Sequence, residues 1–140
     1  MSIPGPEVRT HLGLDRRLCG QPLAVEEGSA VVAFEALPEM AADERGLVHG
    51  GFVFGLADHA AMLAVNHPNV VLGSAEVRFL KPVVVGERLE ARAAVEESDG
   101  RKSRVRVEVL RAGVPKEAVM AGTFLCFVLE RHVLDAGGKR

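Results

Sequence analysis

The segment from His49 to Asn66, HGGFVFGLADHAAMLAVN, constrains this chain more than any other. After Gly51 it is built almost wholly of Ala, Leu, Met, Val and Phe, with one further glycine, Gly55, and no proline before Pro68. Ala and Leu favour a helix because they lose little side-chain freedom in it. Only Asp58, His59 and Asn66 are polar, so no broad solvated face can be drawn around such a helix. A helix apolar on nearly all sides is a buried one. From Gly50 to Asn66 it would run on the order of 25 Å at ~1.5 Å per residue. Something extended must wrap around it.

The rest of the chain supplies that wrapping as strands. Ser29 to Leu37 is Val-rich and lies between turn signals at Glu26-Glu27-Gly28 and Pro38, and a polar loop follows to Val48. Between Val70 and Lys81, Ala75, Val77 and Phe79 alternate with Glu76 and Arg78. Leu89, Ala91, Ala93 and Val95 alternate with Arg88, Glu90 and Arg92, which predicts a half-buried strand. Ser98-Asp99-Gly100 is a hairpin signal, after which Val105, Val107 and Val109 alternate with charges. Ala118 to Leu129 is apolar on both faces and belongs inside a sheet or at a subunit contact. The opening stretch, Pro4 to Gly20, reads as a short amphipathic helix carrying Leu12, Leu14 and Leu18 and closed by glycine. The expectation is α+β: five strands in an antiparallel sheet, with one apolar helix packed on its concave face. A single domain spans 1–140, with 1–20 as an N-terminal extension and 131–140 as a flexible tail.

Composition removes several function classes. Seventeen Lys and Arg against nineteen Asp and Glu give a net charge of -2, with no Trp or Tyr and six Phe. Neither the field nor the stacking platforms for nucleic acid are present. No window reaches the ~18 apolar residues of a membrane helix. The first twenty residues carry Glu7, Arg9, Asp15, Arg16 and Arg17 without an apolar run, so no secretory signal is read and a cytoplasmic protein is expected. Cys19 and Cys126 then read as reduced thiols. His11, His49, His59, His67 and His132 form no metal-binding spacing, so neither a metal nor any other cofactor is expected.

Two features within the long segment carry chemistry. Asp58 places a carboxylate among residues suited to burial, where an unpaired charge costs several kcal/mol or takes up a proton. Either the helix surfaces there for a turn, or the carboxylate meets a ligand in a cleft. At the helix entrance stands His49-Gly50-Gly51. Free N–H groups of a first helical turn, aided by the helix dipole, suit a negatively charged oxygen, the requirement of an oxyanion hole. A tight loop-to-helix junction would use the same residues.

The run LVHGGFVFGLADHAAMLAV, followed by VRFLKPVVVGERLEARAAV, resembles the hotdog-fold acyl-CoA thioesterases of the PaaI-like type. That family shows HGG, then an apolar stretch ending in an acid nine positions after the histidine, as from His49 to Asp58; Pro82 and Gly86-Glu87 fit its later part. The resemblance spans about residues 28 to 130 and implies a hotdog fold. It implies that Asp58 is the catalytic carboxylate, acting as general base on water or as nucleophile. It implies that the N–H of Gly50, assisted by Gly51, polarises the thioester carbonyl, while His49 shapes the loop. It also implies a homodimer whose sites are shared between protomers, with a dimer of dimers left open, and an acyl-CoA as substrate.

The chain departs from the pattern at two places. Asp43 stands where the family often has Asn, and an ionised Asp cannot donate as an amide does. A hydroxyl that some relatives use to orient water maps onto Leu72, and Ser74, two residues on and read as sharing its face, is the substitute. Phe54, with Phe52, Met62 and Leu63, is a candidate for the acyl pocket; Arg78, Lys81 and Arg88 are candidates for the CoA phosphates; His59 is read as packing. Two rivals are a non-catalytic acyl-CoA-binding module, as in lipid-responsive repressors, and an enoyl-CoA hydratase. The hydratase would have an Asp–His dyad about five residues apart, but Leu63 occupies that position.

Overall fold

Six antiparallel strands lie side by side in the computed structural model, which describes residues 5–114 and 117–136. In chain order the elements are α1 (Arg16–Cys19), β1 (Gln21–Glu26), β2 (Ser29–Glu35), α2 (Gly50–Val65), β3 (Val70–Phe79), β4 (Arg88–Asp99), β5 (Lys102–Arg111), β6 (Ala118–Val128) and α3 (Val133–Ala136). Their order across the sheet is β1-β2-β4-β5-β6-β3. The chain therefore leaves β2, runs through the helix and returns at the opposite edge of the sheet. This is the α+β hotdog architecture, a sheet curled around one helix.

Burial follows the alternation read from sequence. Leu89, Ala91 and Ala93 of β4 and Val105, Val107 and Val109 of β5 point inward, and their charged neighbours point out. They meet Val53, Leu56, Ala57, Ala60, Ala61, Met62, Leu63 and Ala64 of α2, all buried. The helix ends where Asn66 turns left-handed (φ 51) as its C-cap. β6, apolar on both faces, lies between β5 and β3, one of the two positions expected of it.

Two expectations need correction. The sheet has a sixth strand, β1, an edge strand with Pro22 inside it; proline is tolerated at an edge because no ladder donor is needed on the open side. The helix expected over 4–20 shrinks to one turn, α1, because His11 adopts a left-handed conformation (φ 55) and Gly20 closes the turn. Val133–Ala136 form a short helix within the expected tail, and 137–140 lie outside the described residues, as does residue 4.

β3 is the other edge strand, and most of it is exposed. Its last residue, Phe79, and Leu80 just beyond it are 55% and 50% exposed. The Phe79 ring lies beside Gly50, at the entrance of α2.

Candidate active site

The helix entrance is assembled from the loop before it. Asp43 Oδ1 accepts from the N–H groups of Arg45 and Leu47, at 2.9 and 3.1 Å, and fixes a tight turn. The His49 N–H then donates to the Met40 carbonyl (2.9 Å), and the Phe52 N–H closes the first turn on the His49 carbonyl (3.0 Å). Asp43 thus folds the loop that presents His49. Gly50 and Gly51 occupy the first two helical positions, where helix geometry offers their N–H groups no partner, and His49 adds no side-chain cap. A Cβ on Gly51 would sit 3.0 Å from the His49 ring, so the second glycine is what lets the imidazole lie over the helix start. The same ring stands edge-on to Phe52, 6.2 Å between centroids.

Two turns further on, Asp58 opens into a cavity of about 380 Å³ whose lining includes Thr10, His11, Met62, Leu72 and His132. Asp58 Oδ1 is buried and has no hydrogen-bond partner. Burial pushes the carboxyl above its ordinary range, opposed by the charge of His11. A carboxyl so placed is a stronger base than an exposed one, and its lone pairs are free for a ligand or water. One turn earlier Phe54 packs on Phe124, with ring centroids 5.5 Å apart. His59 points elsewhere: it is 4% exposed, and its Nδ1–H donates to the Cys19 carbonyl at 3.0 Å. Among the described residues, no group of three His, Cys, Asp or Glu side chains is placed to hold a metal ion, and no helix is long and apolar enough to cross a membrane.

The remaining candidates lie apart from this cavity. The expectation that Ser74 shares a face with Leu72 fails because a bulge intervenes. Leu72 pairs with the buried Cys126 and faces the helix, whereas Ser74 pairs with Leu125 beside Arg104, on the outward face. Gly73 sits at the irregularity, and a Cβ there would strike the Phe127 ring at 2.3 Å. Arg78 is also outward, beside Arg106. Lys81 is 3.9 Å from Glu117, which also binds Arg111 at 2.7 Å, and Arg111 in turn pairs with Glu87. Arg88 borders a different groove, with Arg16 and Arg17. Sequence reasoning missed Thr10, His11 and His132 at the Asp58 cavity. No periodicity marks them, since each comes from irregular chain.

Gly50 and Asp58 are eight residues apart on one helix, so about 12 Å of axial rise separates them at ~1.5 Å per residue. A thioester carbon and its own carbonyl oxygen are far closer than that.

The Thioesterase superfamily model matches residues 45–118. An uncharacterised protein from Pyrococcus horikoshii is 56% identical, with a TM-score of 0.89 over 93% of this chain and 98% of its own. A mutant of the phenylacetic acid degradation protein PaaI from Thermus thermophilus is 35% identical, with a TM-score of 0.72 over 80% of this chain and 95% of its own. Among curated relatives, the methylthioribose-1-phosphate isomerase of Aquifex aeolicus is 48% identical over 88% of this chain, and the transcription factor FapR of Caldanaerobacter subterraneus is 29% identical over 91%. The chain spans only 26% and 62% of those two proteins.

Proposed function

The chain belongs to the Thioesterase superfamily, and from that premise we propose that it hydrolyses an acyl-CoA to the free acid and CoA. The observation that carries the reading is the partnerless Asp58 oxygen in a cavity, on the same helix as two unengaged glycine N–H groups. The Gly50 N–H, with that of Gly51, receives the thioester oxygen as negative charge develops on it. Asp58 takes a proton from water, whose oxygen adds to the carbonyl carbon; collapse of the adduct breaks the C–S bond, and the leaving thiolate takes the proton back from Asp58, which regenerates the base. Attack by the carboxylate itself, through an anhydride that water then opens, uses the same groups.

The 12 Å separation estimated above means that one chain does not bring both groups to one thioester. The proposed site is therefore shared by two copies in a homodimer, the helix entrance of one facing Asp58 of the other. The unpaired β3 edge and the exposed Phe79 and Leu80 beside the helix entrance support such a pairing. In it, His49 shapes the oxyanion loop through its stacking over Gly51, Asp43 holds that loop, and Phe54 borders the acyl group. Arg78 and Lys81 are left as outward cations for the CoA phosphates, and Ser74 has no part in the Asp58 cavity of its own chain.

A panel of acyl-CoAs with a thiol reagent tests the reaction. The expected result is thiol release with at least one acyl-CoA, reduced ~100-fold or more in Asp58→Asn, the scale of general-base loss. Similarity to a transcription factor keeps one second reading, an acyl-CoA-binding module without catalysis. Saturable binding with no thiol release would establish that reading and overturn hydrolysis.

A further inference from the structure

The segment from Glu7 to His11 crosses the C-terminal end of α2 and is pinned there by a single side chain. Asn66 Oδ1 accepts the Arg9 N–H at 2.8 Å, and Asn66 Nδ2 donates to the Glu7 carbonyl at 2.9 Å. The backbone of Asn66 is itself fixed, since its N–H closes the helix on the Met62 carbonyl at 2.8 Å. Two residues beyond Arg9, the chain enters the left-handed region at His11 (φ 55) and delivers the imidazole to the Asp58 cavity. Such a φ is uncommon outside glycine, and its strain persists where surrounding structure holds it. Here Thr10 does so: its side chain is buried, and its hydroxyl is 2.7 Å from His11 Nδ1. Clamp, turn and tether together orient a ring that would otherwise swing on an irregular segment.

We propose that His11 is a positioning residue for the Asp58 carboxylate: the clamped N-terminal segment holds the imidazole at the cavity so that its charge sets when Asp58 works as an anion. The inference rests on the Asp58 reading and deepens it. Each group favours the charged form of the other, while burial pushes the carboxyl up and the imidazole down. Burial thus draws the two proton affinities toward each other, and the charge on each bears on the other.

The other groups around the pair are accounted for. Val70, Val71 and Leu72 of β3 bring no charge, and the irregular chain after β6 brings His132. Burial holds the thiols of Cys126 of β6 and Cys19 of α1 above their usual range, with the Asp15 charge adding to it at Cys19 and the Asp58 charge at both, so both stay neutral where Asp58 and His11 titrate. His59 feels His11 and Arg16, and its Nδ1 bonds the Cys19 carbonyl.

The test follows imidazole titration by NMR in the full chain, wild type against Asp58→Asn, with the His11 signal identified by its loss in His11→Asn. Asn tolerates the left-handed backbone. The His11 midpoint is expected to fall in Asp58→Asn, and an unmoved midpoint overturns the inference whether or not the protein is active. In the kcat/KM profile with an acyl-CoA, the acid limb of His11→Asn is expected to rise by about one pH unit, the lower end of what an opposite charge commonly produces, while KM holds. A superimposable limb overturns the inference and leaves the Asp58 reading standing. Full activity in Asp58→Asn overturns that reading, and the inference with it. Asn66→Gly, which keeps the left-handed cap but drops the clamp, should move the limb in the same direction; no movement removes the clamp from the scheme.

Discussion

Asp58→Asn should make the protein more stable at neutral pH while abolishing most of its activity. The carboxyl is held above its ordinary value of 3.8 by burial, so the folded chain binds this proton more tightly than the unfolded chain does. Stability must then fall as pH rises from that ordinary value through the raised one, and above it the full penalty is present. The buried Oδ1 has no partner to offset the cost, and a group left in that state commonly costs about 1–3 kcal/mol. Asparagine keeps the size and removes the charge, but it still buries an unpaired polar atom, so only part of the cost is recovered. A gain of about 1 kcal/mol corresponds to roughly 3–5 °C in Tm for a chain of this length. Calorimetric melts of both proteins at intervals from pH 4 to 8 provide the assay. The curves should separate on the alkaline side and converge as pH falls toward the ordinary carboxylate range. A variant no more stable than wild type at pH 7–8 would refute the argument by showing that the carboxylate has a partner, and a gain that ignores pH would refute it by showing that the charge is not what costs stability.

The glycines and thiols yield sharper variants. Gly50→Pro removes the proposed oxyanion donor at the first helical position, which favours proline, and His49 already has the extended backbone that proline requires before it (ψ 128). The fold should persist while kcat drops ~100-fold; a rise in KM alone would assign Gly50 to binding. Mixing Asp58→Asn and Gly50→Pro chains after co-refolding should restore about a quarter of wild-type activity per chain, since half of randomly paired dimers carry one intact site of two. No recovery would place both groups in one chain's site. Cys126 is fully buried and its thiol is pushed up to about 12, whereas Cys19 is partly exposed. A thiol reagent at pH 8 should therefore titrate at most one cysteine in the native protein and two after unfolding, counted by mass spectrometry.

How far the sequence could be read depended on the range of the interactions involved. α2 was legible because each residue argues for it locally, and its observed end differs by one residue, Asn66, which caps instead of continuing the helix. β4 and β5 were legible from strict alternation. β1 was not, because six residues with Pro22 inside them carry no clear period, and its place is decided by pairing with β2. Ser74 was misplaced because a bulge precedes it at Gly73, where the Phe127 ring, more than fifty residues away in the chain, leaves no room for a Cβ. Asp58 announced itself as a charge in apolar company. His11 did not, since its approach to Asp58 depends on an asparagine clamp spanning more than fifty positions.

The same rigid rod carries the loop-side amides at one end and the carboxylate near its middle. In a paired assembly each rod would serve two pockets at once, lending amides to one and a base to the other. Tilting it to tighten around a substrate on one side would necessarily disturb the opposite reaction centre. Occupancy of one centre would then be felt at the other, and acyl-CoA saturation curves would depart from a simple hyperbola.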